Sequence, residues 1–130
     1  MENKGAFVRI LVSNVEQSLK FYTEILGFIL AQKPTSEFGV VETPVGSRFP
    51  ARISLTTQVY PGQTLGKCES ISLGIFLESQ EDLEIAVKEL KEKGVIFTSD
   101  FINEGLSVFI FLVDPDKNPL YMGANRQISA

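Results

Sequence analysis

Apolar and polar positions change their spacing in a regular order along this chain. Phe7 to Val12 (FVRILV) is rich in β-branched and aromatic residues and reads as a strand. Ser13-x-x-Glu16 matches a capping box, which sets a helix start at Ser13. Val15, Leu19, Tyr22, Ile25 and Leu26 then recur at helical spacing, and Gly27 supplies a left-handed stop. Phe28 to Leu30 opens the next strand, followed by strands at Glu37–Thr43 and Ala51–Thr57. From Gln58 to Glu69 the texture changes: Pro61-Gly62 and Gly66 mark a loop of about a dozen residues.

The same order then returns. Ser70–Leu77 reads as a strand. Ser79-x-x-Asp82 opens a helix with Leu83, Ala86, Val87 and Leu90 as its apolar stripe. Lys88, Lys91 and Lys93 sit toward its C-terminal end and Gly94 stops it. Val95–Phe97 begins another strand. Leu106–Val113 and Leu120–Gly123 form a closing hairpin around the dense turn signal Asp114-Pro-Asp-Lys-Asn118-Pro119, and the tail from Ala124 is polar. The pattern is one β-α-β-β-β unit used twice. It predicts an α+β fold of eight strands and two helices, one domain built from two βαβββ modules (about 5–57 and 70–124, with a linker at about 58–69). Two curved sheets would carry the helices on their outer faces and leave a concave cup.

Composition narrows the function. At 130 residues the chain can bury one core. A net charge of −4 with no basic cluster disfavours nucleic acid and anionic membrane surfaces as partners. The start, MENKGAF, lacks a signal-peptide layout, and the longest apolar run, Val108–Val113, is too short to span a bilayer. Cys68 is the sole cysteine, so no internal disulfide forms and a reduced cytoplasmic setting is expected. The chain has no histidine to pair with it, so a catalytic thiolate is not expected there. The chain contains no histidine, which removes the commonest general base and the commonest metal ligand together.

Three stretches resemble the vicinal-oxygen-chelate superfamily of glyoxalases, extradiol dioxygenases, and fosfomycin- and bleomycin-resistance proteins. They are Val12-Ser-Asn-Val-Glu-Gln-Ser18-Leu-Lys-Phe21-Tyr22 with Leu26-Gly27-Phe28, then Leu83 to Val95, and then Asp114-Pro115-Asp116-Lys117-Asn118. Lys117 stands where the family usually has glycine; in left-handed backbone this costs about 1 kcal/mol. The resemblance implies a glyoxalase-type fold and, in the family's enzymes, a divalent metal held from four strands. Counted from the shared motifs, those ligand places fall on Phe7, Ser54, Ser72 and Tyr121, none of which is a good ligand for such an ion. No metal, no cofactor and no catalytic residue is therefore expected.

Alternation along the strands selects the residues that would line the cup. Phe7, Arg9 and Leu11 share one side of the first strand, and Arg52, Ser54 and Thr56 one side of the fourth. Ser72, Gly74 and Phe76 do so on the fifth, Phe109 and Phe111 on the seventh, and Tyr121 on the last. The expected ligand-binding set is Phe7, Arg9, Arg52, Ser54, Ser72, Phe109, Phe111 and Tyr121: apolar walls with a few polar groups, suited to a small molecule. The two arginines favour an anionic group and the rings an aromatic one. The same residues have a plainer use, the rings as packing and the arginines in water or paired with Glu42 or another acid. Relatives of this length commonly dimerise, and apolar residues on both faces of Leu106–Val113 fit burial on both sides, so a homodimer is expected. The leading function is a metal-independent small-molecule binder concerned with drug sequestration or resistance. Two alternatives are a divalent-metal lyase or dioxygenase using acids such as Glu37, Glu42, Glu69 or Glu104, and a domain whose cup is filled by its own side chains.

Overall fold

The computed structural model describes residues 1–66 and 72–127. Cys68, Glu69 and the first two residues expected in the fifth strand lie outside them. The chain divides into two compact units, Met1–Lys67 and Cys68–Ala130. Each contains a four-stranded mixed sheet, and the two together make the two-module α+β fold with eight strands and two helices. Among the described residues no helix is long and apolar enough to cross a membrane.

The first unit contains β1 (Val8–Leu11), α1 (Val15–Lys20), β2 (Ile29–Leu30), β3 (Phe38–Glu42) and β4 (Arg52–Thr56), with sheet order β1-β4-β3-β2. β1 runs parallel to β4, with Arg9 beside Ser54, and β3 is antiparallel to β4. Ile53, Leu55 and Val41 are buried. The neighbouring Gly39 leaves room for Leu19 of α1, whose side-chain carbons lie 3.0–3.2 Å from where a Gly39 Cβ would be. That face is the helix side. Arg9, Leu11, Val40, Ser54 and Thr56 therefore occupy the other face.

The start of α1 corrects the capping-box reading by one residue. Asn14 is the N-cap, with extended backbone, and its side chain accepts the Gln17 N–H at 2.9 Å. Asparagine caps as well as serine, so the adjacent Ser13 and Asn14 compete and the register of the buried stripe decides. The helix then widens into a π-helical turn at Phe21–Ile25, where the Leu26 N–H reaches the Phe21 carbonyl at 3.0 Å. This extra residue turns both Phe21 and Tyr22 into the core, with their rings edge-on at 5.4 Å. Gly27 ends the turn at φ +82°.

The second unit contains β5 (Leu73–Phe76), α2 (Gln80–Glu92), β6 (Ile102–Glu104), β7 (Ser107–Val113) and β8 (Pro119–Asn125), in the order β5-β8-β7-β6. Ser79 caps α2 as its spacing predicts, accepting the Asp82 N–H at 3.1 Å. The helix closes on Gly94, with Val95 N–H bonded to the Leu90 carbonyl and Gly94 N–H to that of Lys91, a Schellman ending. Leu83, Val87 and Leu90 are buried, and α2 packs on β8. On β7 and β8 the buried set is Val108, Ile110 and Leu112 with Leu120, Met122 and Ala124. Full burial of each large apolar side chain stabilises by about 1.5–3 kcal/mol.

Two strand expectations need correction here. Val95–Phe97 forms only an isolated bridge, Phe97 to Leu112. The edge strand is instead Ile102–Glu104, joined to β7 through a two-residue turn in which Gly105 has φ +59°. Positive φ at that position matches the right-handed twist of a hairpin. The last strand also runs longer than expected, into the polar tail as far as Asn125.

Candidate functional site

The helix-free face of the second unit carries three rings. Register pairs Phe111 with Tyr121 and Phe109 with Gly123, so these positions share one side of the sheet. Ring centroids lie 5.8 Å apart for Phe109–Phe111, 6.0 Å for Phe109–Tyr121 and 5.8 Å for Phe111–Tyr121. Tilted and edge-on pairs at such spacings bring the positive ring edge to the negative face. β5 completes the surface, because Gly74 pairs with Tyr121 and has no side chain to displace the phenol. The two phenylalanines are half-buried and Tyr121 is 36% exposed, so the cluster is a packed wall with its outer side uncovered. Phe76 and Ser72 fall on the same side by alternation, both half-buried.

In the first unit the expected polar residues are already engaged. Arg9 is half-buried; its Nη1 donates to Gln63 Oε1 at 2.8 Å and its Nη2 to the Gln58 carbonyl, while its guanidinium carbon sits 4.4 Å from the centre of the Tyr60 ring. Arg52 pairs with Glu42 at 3.6 Å across the β3–β4 register, which is the plainer use foreseen for it. The side chains of Arg52 and Glu42 are both about half exposed, so this pair contributes little to stability. Ser54 is buried on β4. Phe7 precedes β1 and is 69% exposed; the strand begins one residue later than the sequence suggests, so alternation does not hold its ring against the sheet. The structure thus brings Phe109, Phe111 and Tyr121 into one cluster, and Arg9 beside Ser54 in another. Sequence reasoning missed Gln58, Tyr60 and Gln63, whose part depends on how the loop folds back.

The four metal-ligand places fare poorly as donors. Phe7 has none, Ser54 and Ser72 offer neutral hydroxyls, and the Tyr121 phenol is packed within the aromatic cluster. These residues do not fit a divalent ion. Nor, among the described residues, do three or more cysteine, aspartate or glutamate side chains converge on a common point. An open groove of about 670 Å³ lies on the helix side of the first unit, between α1 and residues 34–36, with Val15, Leu19 and Leu30 among its walls. It contains none of the expected ligand-binding residues.

Residues 6–120 match the family model described as the Glyoxalase/Bleomycin resistance protein/Dioxygenase superfamily. The chain belongs to that superfamily. Among solved structures this superfamily member is similar to TnmS3, an antibiotic binding protein from Streptomyces sp. CB03234. The two share 23% identity over 98% of this chain and 99% of that one, with a TM-score of 0.70. It is also similar to a glyoxalase/bleomycin resistance protein from the same Streptomyces strain, at 26% identity over 92% and 96% of the two chains and a TM-score of 0.63. A lactoylglutathione lyase from Agrobacterium tumefaciens shares the fold at 9% identity, covering 95% and 96%, with a TM-score of 0.70. Among curated proteins none matches the sequence. The same fold thus occurs in a protein described as antibiotic binding and in one described as a lyase, so the fold does not choose a function and the site must.

Proposed function

We propose that this protein is a metal-independent binder of small aromatic molecules, acting by sequestration, as in drug resistance. The observation that carries the reading is the cluster of Phe109, Phe111 and Tyr121 over Gly74: three rings in mutual contact, supported by the sheet and open on the outer side. A planar ligand can pack against that cluster, gaining apolar burial with little ordering cost because the wall is already formed. The donor chemistry supports the same side of the choice, since residues at the metal places cannot replace histidine and carboxylate. The name of one fold relative, an antibiotic binding protein, is consistent with this class of function. We place the protein in the reducing cytoplasm and expect a homodimer, with light scattering as the check on the latter.

The test is a ligand titration by intrinsic tyrosine fluorescence and thermal shift, using planar aromatic probes such as naphthol. Wild type should gain melting temperature with the logarithm of ligand concentration once that exceeds Kd. Phe111→Ala should lose that gain, and prior treatment with a chelator should leave it intact. Binding that vanishes on chelation, with a stoichiometric ion in the purified protein, would instead support the enzyme reading.

A further inference from the structure

Gln58 to Gln63 fold back from β4 onto the side of the sheet that carries Arg9. The Thr56 hydroxyl accepts the Gln58 N–H at 3.1 Å where the chain leaves the strand. Tyr60-Pro61-Gly62-Gln63 then closes as a turn: the Gln63 N–H meets the Tyr60 carbonyl at 3.0 Å, and Gly62 has φ +86°. Proline second and a positive-φ glycine third are the residues that a type II turn demands. The turn is further tied because Gln63 Oε1 also accepts the Tyr60 N–H at 3.0 Å.

This built turn presents to Arg9 what an external carboxylate would present. One oxygen, Gln63 Oε1, lies on Nη1; a second, the Gln58 carbonyl, lies on Nη2. Two oxygens on the two terminal nitrogens of a guanidinium are the arrangement of a bidentate carboxylate pair, here made from neutral groups. The Tyr60 ring at 4.4 Å adds an aromatic partner on the cation's face. Gln58, Tyr60 and Gln63 are all exposed, so water and solutes can compete for these contacts.

We propose that the 58–63 turn is a self-supplied stand-in for a carboxylate ligand, a latch that holds Arg9 until an organic acid displaces it. This rests on the small-molecule reading above for the class of ligand, while the acid-binding place at Arg9 lies within the first unit alone. A carboxylate outcompetes the amide oxygens because it brings a full negative charge to the guanidinium, adding ion-pair attraction to two hydrogen bonds that the amide oxygens make with partial charges only. Its binding releases the turn, so acid binding and turn opening are linked.

The experiment compares naphthoate with naphthol, matched acid and neutral probes, on wild type, Gln63→Ala and Gln63→Glu. Removing one competing bond to a charged group corresponds to about tenfold in affinity, so Gln63→Ala should bind naphthoate up to about tenfold more tightly. Gln63→Glu gives Arg9 an internal carboxylate and should bind naphthoate more weakly than wild type. Naphthol affinity should be the same in all three. Hydrogen exchange over residues 58–66 should rise when naphthoate binds and stay unchanged with naphthol. If both probes bind but the two variants leave naphthoate affinity unaltered, or move both probes alike, the latch is wrong and the binding function stands. If neither probe binds any of the three proteins, both readings fall.

Discussion

The Tyr121 ring lies across the backbone of Gly74. A Cβ placed on Gly74 would sit 2.4 Å from Tyr121 Cζ and 2.6 Å from its hydroxyl oxygen, closer than atoms can approach. The two residues are register partners on β5 and β8, so the contact is set by the sheet. Gly74→Ala should therefore push the phenol out of the cluster and cost roughly 1–3 kcal/mol, the range for overpacking. Adding Tyr121→Leu should recover most of that loss, since the obstructing ring is gone. Urea denaturation of the single and double variants measures the coupling; additive losses would mean that the two residues do not meet.

Lys117 occupies left-handed backbone, with φ +66°, in the turn before β8. Its N–H still bonds to the Asp114 carbonyl at 2.9 Å, so the turn keeps its shape and bears the steric cost. Lys117→Gly should remove about 1 kcal/mol of strain, partly offset by glycine's greater freedom when unfolded. A net gain of about a few tenths of a kcal/mol is expected, read as a raised denaturation midpoint at constant slope. Lys117→Ala keeps the Cβ and should gain nothing.

That turn was readable because its residues act through local chemistry. Asp-Pro-Asp-Lys-Asn bonds to its own backbone, and the lysine's strain follows from a single side chain. The helix stops at Gly27 and Gly94 were legible for the same reason, as was the split of β7 into Val108, Ile110 and Leu112 on the helix side and Phe109 and Phe111 on the other. What escaped depends on partners far along the chain. Asn14 and Ser13 are equivalent caps until packing sets the register of Val15. Ile102–Glu104 is too short and too polar at its end to announce a strand, and exists because β7 offers it an edge. Arg9 looked free for a ligand because its partners Gln58 and Gln63 lie some fifty residues away.

Asp114 should be the residue whose loss harms the second unit most for its size. It is buried, and its Oδ1 accepts the N–H groups of Asp116 at 2.9 Å and Asn118 at 2.8 Å, while its Oδ2 accepts Asn118 Nδ2 at 2.8 Å. Asp114→Ala leaves those donors without the carboxylate in a mostly buried turn, at about 1–3 kcal/mol per unsatisfied group. A loss of about 3 kcal/mol is expected in chemical denaturation. Asp114→Asn keeps an oxygen and should lose less. Equal losses would show that one oxygen alone does nothing for the turn and that the full carboxylate is needed.

Ser18 sits in α1 with no exposed surface, and its Oγ is without a hydrogen-bond partner among the described residues. A buried, unpaired hydroxyl is unfavourable by about 1–3 kcal/mol relative to one left in water. Alanine removes that atom, improves helix propensity by about half a kcal/mol, and leaves a gap no larger than one oxygen. Ser18→Ala should therefore raise stability, by up to about 1 kcal/mol after the lost packing is counted. Ser18→Val keeps the site apolar but adds bulk beneath a packed helix, and should destabilise. If alanine instead lowers stability by 1 kcal/mol or more, measured by urea denaturation, the hydroxyl has a bonded partner in solution. Its place within the opening helix motif would then reflect a polar contact, where the alternative is simply a side chain small enough to let the helix approach the sheet.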